Sequence, residues 1–455
     1  MLIEKLDKYL NKNYYPFYMP GHKRNKNILN KKLPYDRDIT EIDGFDNLND
    51  PKTIFKQMKE SLKDIYKVDD FIISTNGSTS GILSVIRTLT RFKKNILIQR
   101  NSHKSVYNAI DLFDLNPSYI DLKFKDDIAF DIDYEAIEKR IKEEDYSLIL
   151  LTSPSYEGFI LDFKKIRKIC KNIPIVLDMA HGSHLILDDL YDDIDFDIAI
   201  TSFHKNLSAL TPASGVLVKN KNIDKKELRR NMAIFQTSSP SYIISQSIDD
   251  MLTNFPKFPK LYKNLNKNLD KLYKTKLSNL KFINDKNKDR SKIVISCKNT
   301  NISGNDLKDL LYKEKIDIEM AFSSYVILIS SIFDMDYGFE RLKNALIKID
   351  KNIKFKEESE ESYEFSYKIP KKAISISKAL LKDKKIGNIE KLNGHISGGF
   401  IYAYPPGIPL IVPGEVFDNE IIENIKKLIK LGLDINLVDG GFYYIDWQKK
   451  PTLIL

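Results

Sequence analysis

The chain has 455 residues, 42% of them hydrophobic and 30% charged, with a formal net charge of +9. Such a length exceeds one ordinary core and predicts two or three domains, while no segment reaches the roughly 18–20 uninterrupted apolar residues of a membrane span. The basic excess is nearly all lysine, dispersed among acids and asparagines, so neither a nucleic-acid nor a membrane partner is expected.

The first residues, MLIEKLDKYLNKNYYPFYMPGHK, mix acids, lysines and aromatics where a signal peptide needs a basic patch and then an apolar run, so a cytoplasmic location is expected. Residues 1–54 read as an ordered arm, because the stretch from MPGHKRN to NLNDP is polar and rich in turn formers. From 55 to 250 short apolar runs alternate with amphipathic helical stretches: FIIST then GILSVIRTLT, NILIQ then SVYNAIDLF, YSLILLTSP then FKKIRKICK, followed by IPIVLD and DIAITS. This alternation predicts an α/β large domain with a doubly wound, mostly parallel sheet. Residues 251–355 open on a Lys- and Asn-rich helix and continue into SKIVISCK and SSYVILISSI, strands of a smaller α+β unit. The acidic KEESEESYE at 356–364 reads as a linker into a last region, 356–455, with helices in KKAISISKALLK and NEIIENIKKLIKLG and strand and turn in IYAYPPGIPLIVPGE. Cys170 and Cys297 stand far apart without ligand spacing, which predicts neither a disulfide nor a metal site.

In a parallel sheet, ligands sit outside the carboxyl ends of the strands. After FIIST, NGSTSG places Ser78 and Thr79 at a helix N-terminus flanked by glycines, suited to a phosphate, although such residues also serve as plain helix caps. After NILIQ comes His103, which could stack on a planar ring or be an ordinary loop histidine. IPIVLD ends on Asp178, a carboxylate whose burial calls for a cation or several donors. DIAITS leads to Ser202, His204 and Lys205, and a lysine beside a buried strand has the setting that Schiff-base chemistry uses. Together these are a phosphate cradle, a stacking imidazole, a carboxylate for a pyridinium and an amine for an aldehyde, the parts of a pyridoxal 5'-phosphate site.

The segments MPGHKRN, DITEIDGFDNL, NGSTSG, RNSHKS, SPSYEG, LDMAHGSH, SFHKNLSALT, QTSSPSY and YPPGIPLIVPGE resemble the successive motifs of the Orn/Lys/Arg decarboxylase family, in its short form. The resemblance implies the fold-type-I architecture of pyridoxal-phosphate-dependent transferases, with smaller α+β C-terminal domains. It implies that Lys205 links to the cofactor, that Asp178 partners the ring nitrogen and that His103 stacks on the ring. Ser78, Thr79, Ser202 and His204 would serve the phosphate, with His181 of the D-x-A-H-G motif among the cofactor's neighbours. Ser238 resembles a residue that reaches the phosphate of the neighbouring subunit, which implies a homodimer. The expected substrate is a small basic amino acid, arginine or lysine with ornithine possible, decarboxylated to a polyamine-precursor amine. Among Glu41, Asp43, Glu319 and Glu415, the last is the first choice for its distal cation. An aminotransferase or lyase on the same fold, or a non-catalytic relative, is the competing reading. After Arg230 only Arg290 and Arg341 remain to clamp an α-carboxylate, which disfavours transamination.

Overall fold

The computed structural model describes residues 1–455 except 13, 16–18, 21, 26, 357–368, 405–407, 431–433, 439 and 446–455. Most of the expected linker at 356–364 therefore lies outside the described residues. The chain divides into two compact units, neither of them a continuous stretch.

The first unit comprises Met1–Leu89, Pro174–Asn266 and Ser331–Phe333. Its strands follow the order Asp70–Ser74, Ser214–Val218, Ile198–Ser202, Ile175–Met179. Ile175–Met179 and Ile198–Ser202 pair in parallel, and Ser214–Val218 runs antiparallel to both its neighbours. The last three strands in that order are buried at every position, the reason they read as unbroken apolar runs rather than alternating ones. Helix Gly77–Leu89 lies close against them: a Cβ on Gly81 would stand 3.0 Å from Val216 Cγ2 and 3.1 Å from Ile200 Cγ2. The rings of Tyr66, Phe71 and Phe203 stack beneath, with centroids 5.9 and 6.0 Å apart along that series.

The arm is ordered by polar knots. Asp46 accepts from the backbone N–H groups of Lys52, Thr53 and Phe55 at 2.8–2.9 Å. Burial pushes this carboxyl up, but these bonds and one from Asn47 hold it below its ordinary range, so it stays charged. The arm also contains a helix, Leu2–Leu10, that buries Leu2 and Leu6. Its spacing, with the two leucines four positions apart, was an available signal that the turn-rich sequence following it obscures.

The second unit comprises Thr90–Ile173, Lys267–Ser330 and Asp334–Leu455. Strands Ile149–Thr152, Asn95–Gln99 and Asn116–Ile120 lie in that order, all parallel. A four-stranded antiparallel sheet runs Lys281–Ile283, Lys292–Ser296, Tyr325–Ile329, Met320–Ala321. Toward the C-terminus, helix Asn419–Lys430 buries Ile421, Ile422, Ile425 and Leu428 against Leu410, Ile411 and Phe417. The segment KKAISISKALLK is helical only over Ile376–Leu380, because Ser375 caps it by accepting from Lys378 N, which starts the helix late. The chain is thus α/β, with a mostly parallel sheet and smaller antiparallel sheets after it.

Candidate active site

In the first unit, strand register lines up the chemistry. Ser74, Ser214 and Ser202 are neighbours across three adjacent strands, and Asp178 pairs in register with Ile200. The ends of Asp70–Ser74, Ile175–Met179 and Ile198–Ser202 therefore share one edge of the sheet. Lys205 stands just beyond, in the one-turn helix Phe203–Asn206, and its Nζ lies 2.9 Å from His181 Nε2. His181 comes from the loop that follows Asp178, so two neighbouring strands deliver the amine and the imidazole together.

Asp178 is 5% exposed, and one of its oxygens accepts from Ala180 N at 3.1 Å. That bond, to the amide two residues on, is local, and it is the one hydrogen bond to the Asp178 carboxylate seen among the described residues. His204 Nδ1 is 2.9 Å from Ala213 O, so this nitrogen carries the proton and donates. Burial pulls the His204 pKa down, with Lys205 adding to it and the Ala213 bond opposing it, so the ring is neutral near pH 7.

The phosphate side shows unmet donors. Ser78 is half-buried and Thr79 exposed in the first turn of Gly77–Leu89. Ser80, in the same turn of that helix, is structural: its hydroxyl is 2.8 Å from Ser74 Oγ and donates to Gly77 O. Ser202 Oγ, Thr75 Oγ1 and both amide atoms of Asn206 are buried without a hydrogen-bond partner among the described residues. Native structures leave few such groups. These orphaned atoms, beside a lysine, a strand-end carboxylate and a helix N-terminus, fit a ligand carrying a phosphate and a polar ring. Thr75 and Asn206 escaped the sequence reading because a threonine ending a strand and an asparagine in a loop are commonplace.

Ser238 and Ser239 are exposed. Their segment runs close to the strand-end edge of its own chain. Gln236 Oε1 accepts from Thr75 N at 3.2 Å, and Thr237 N approaches Asn76 Oδ1 at 3.5 Å. Thirty residues of intervening chain return this segment to the same edge.

In the second unit, His103 is the N-cap of helix Lys104–Leu112. Its Nδ1 accepts from Ser105 N at 3.2 Å, which places the proton of the neutral ring on Nε2 and leaves the imidazole exposed. Glu415 is a correction. Its carboxylate is buried in a two-point ion pair with Arg100, at 2.6 and 2.7 Å, and also accepts from Val412 N at 2.9 Å. Arg100 donates further to Pro409 O and Leu410 O, and its guanidinium lies 4.6 Å from the Tyr119 ring centroid. A carboxylate engaged in this way is structural and does not receive a substrate's distal cation. Of the other acids considered, Glu319 accepts from Tyr156 OH, Asp43 is exposed, and Glu41 Oε1 is buried without a partner among the described residues.

Comparison with known proteins agrees with this geometry. The profile of the Orn/Lys/Arg decarboxylase major domain matches residues 1–255, and that of the family's C-terminal domain matches 364–433. An arginine decarboxylase of Bacillus anthracis is 25% identical, over 95% of this chain and 94% of its own length. One from Halalkalibacterium halodurans is 26% identical, over 92% and 91%. The crystal structure of a Francisella novicida lysine decarboxylase superposes with a TM-score of 0.82 at 19% identity, covering 98% of this chain and 81% of that one, a likeness of fold. With major and C-terminal profiles matched in order, the chain belongs to the Orn/Lys/Arg decarboxylase family of pyridoxal-phosphate-dependent amino-acid decarboxylases.

Proposed function

We propose that this protein binds pyridoxal 5'-phosphate through Lys205 and decarboxylates a basic amino acid, arginine first, to the corresponding amine and carbon dioxide. The observation that carries the reading is the delivery of Lys205, His181 and Asp178 by neighbouring parallel strands to an edge that also holds buried, unmet hydroxyls. Bound there, pyridoxal phosphate would supply an electron sink for the bond broken at the substrate's Cα.

The chain's own residues have separable tasks. Asp178, a buried carboxylate, holds a proton on the ring nitrogen. Ser78, Thr79, Ser202 and His204 bind the phosphate, with His204 neutral and its Nε2 available because Nδ1 is committed to Ala213. Lys205 Nζ, held beside His181, would hold the cofactor through its aldehyde and would supply the proton returned to the substrate's Cα. His103 offers an exposed ring face for stacking. That relatives matched over 94% and 91% of their own length are named arginine decarboxylase supports placing arginine ahead of lysine and ornithine here.

Decarboxylation also needs a substrate carboxylate that no cation clamps in the wrong orientation. Arg290 is ion-paired with Asp270 at 2.6 Å, and Arg341 lies over the Tyr337 ring, which favours decarboxylation over transamination. The active form is a cytoplasmic homodimer in which Ser238 completes the partner's phosphate site. A substrate panel of arginine, lysine and ornithine, read for carbon dioxide and for keto acid, tests the reaction class and the substrate together.

A further inference from the structure

The backbone leading into helix Gly77–Leu89 is tied at three successive amides. Thr75 N–H donates to Gln236 Oε1 at 3.2 Å, Asn76 N–H to Ser74 Oγ at 3.1 Å and Gly77 N–H to Pro212 O at 2.9 Å. The next two amides, of Ser78 and Thr79, are the remaining first-turn donors that a helix starting at Gly77 leaves without an intrahelical acceptor. The direction in which they point is set by the three ties before them.

Two of those ties come from neighbouring backbone or the strand itself. The third is a side chain from 161 residues away, Gln236, which is 6% exposed. Its other end is also held: Nε2 donates to Asn49 Oδ1 at 3.1 Å, and Asn49 Nδ2 donates to Thr237 O at 3.3 Å. Asn49 belongs to the arm segment knotted by Asp46, so the arm, the 236–237 segment and the strand end close into one network.

We infer that Gln236 is a positioning residue for the cofactor phosphate: by fixing Thr75 N–H it aims the Ser78 and Thr79 amides, and it strengthens phosphate binding without touching the phosphate. The inference rests on the pyridoxal-phosphate reading above. Its physical basis is that N–H donors lose strength steeply as they turn away from an anion, while a buried amide anchored at both ends gives the backbone one orientation. If Gln236 merely filled space, its loss would lower stability and leave the preference for phosphate unchanged.

The test compares equilibrium dialysis of the apoprotein with pyridoxal 5'-phosphate and with pyridoxal, which carries the aldehyde but no phosphate. Gln236→Met keeps the length and removes both hydrogen-bonding ends; Gln236→Glu keeps the acceptor for Thr75 N–H. The expected result for Gln236→Met is a preference for the phosphate form reduced about tenfold, the scale of one lost hydrogen bond, with pyridoxal affinity moved less than about twofold. Gln236→Glu should stay within about threefold of wild type. An unchanged preference in Gln236→Met, or equal weakening of both ligands, overturns the inference. Should that variant not fold, Asn49→Ala decides: it releases Gln236 Nε2 and Thr237 O while leaving Gln236 Oε1 on Thr75 N–H, and an undiminished preference counts against the inference. Wild-type protein that binds neither compound, or does not prefer the phosphate form, defeats the cofactor reading itself and this inference with it.

Discussion

At the scale of single residues, the proposed roles centre on Lys205 and Asp178, both legible as polar residues at or just past the ends of apolar strands, where a buried carboxylate such as Asp178 is costly without a partner. Lys205→Ala should lose turnover by roughly a thousandfold or more while its melting temperature stays near wild type, since the nucleophile and the proton-transfer amine vanish together. Activity within about tenfold of wild type would reassign the site. Asp178→Asn should retain some cofactor and lose most activity, because an amide cannot hold the ring nitrogen protonated. Equal rates would leave Asp178 with only its local bond from Ala180 N. His204 gives a pH prediction. Its folded-state pKa lies below its ordinary value, mainly through burial, so below about pH 6.5 the unfolded chain binds a proton that the folded one resists. Its contribution to stability is therefore present above that pH and falls away as the pH drops toward the lowered value. In His204→Gln the denaturation midpoint should fall less between pH 7.5 and 5.5 than in wild type; identical slopes would show that His204 titrates normally. Gln236 was not legible, because what distinguishes it is a bond to Thr75 made across 161 residues.

At the scale of elements, the ion pair between Arg100 and Glu415 joins the end of strand Asn95–Gln99 to the turn that follows Ile408–Ile411. Tyr107 OH donates to Arg100 O, so the start of the His103 helix shares the same anchor. Removing one partner of a buried pair leaves the other charge uncompensated and costs about 3–5 kcal/mol. Glu415→Ala should therefore lower the unfolding free energy by about that amount and leave relative KM values for arginine, lysine and ornithine unchanged, as read by urea denaturation and steady-state kinetics. A raised KM for the longer cations at wild-type stability would restore Glu415 to the substrate pocket. From sequence, Glu415 looked like a pocket acid because a carboxylate after a Pro- and Gly-rich turn near a ligand edge invites that reading. Arg100, its partner, is 315 positions away. The elements themselves were legible where burial produces unbroken apolar runs, as in IPIVLD and DIAITS. The antiparallel strand Ser214–Val218 was not, because SGVLV carries no sign of its direction. The hairpin Leu122–Lys125 with Ile128–Ile132 was missed too, since its exposed lysines break the pattern.

At the scale of the molecule, the proposed dimer has its own test. Inactive Lys205→Ala subunits mixed with subunits in which Ser238 and Ser239 are both replaced by a bulky residue should recover about a quarter to a half of wild-type activity, since a mixed dimer of shared sites has one doubly defective site and one intact site. No recovery after confirmed subunit exchange would show that each chain completes its own site, a possibility given weight by the return of Thr237 to its own Asn76. The central claim is that Lys205 serves a reaction that removes the substrate's carboxylate. The most direct measurement incubates cofactor-loaded protein with carboxyl-labelled arginine, lysine and ornithine and assays labelled carbon dioxide, amine and keto acid in the same vessel. Equal amounts of carbon dioxide and amine from at least one substrate, no keto acid, and no product with Lys205→Ala are the predicted result; keto acid without carbon dioxide, or no turnover of any of the three, would contradict it.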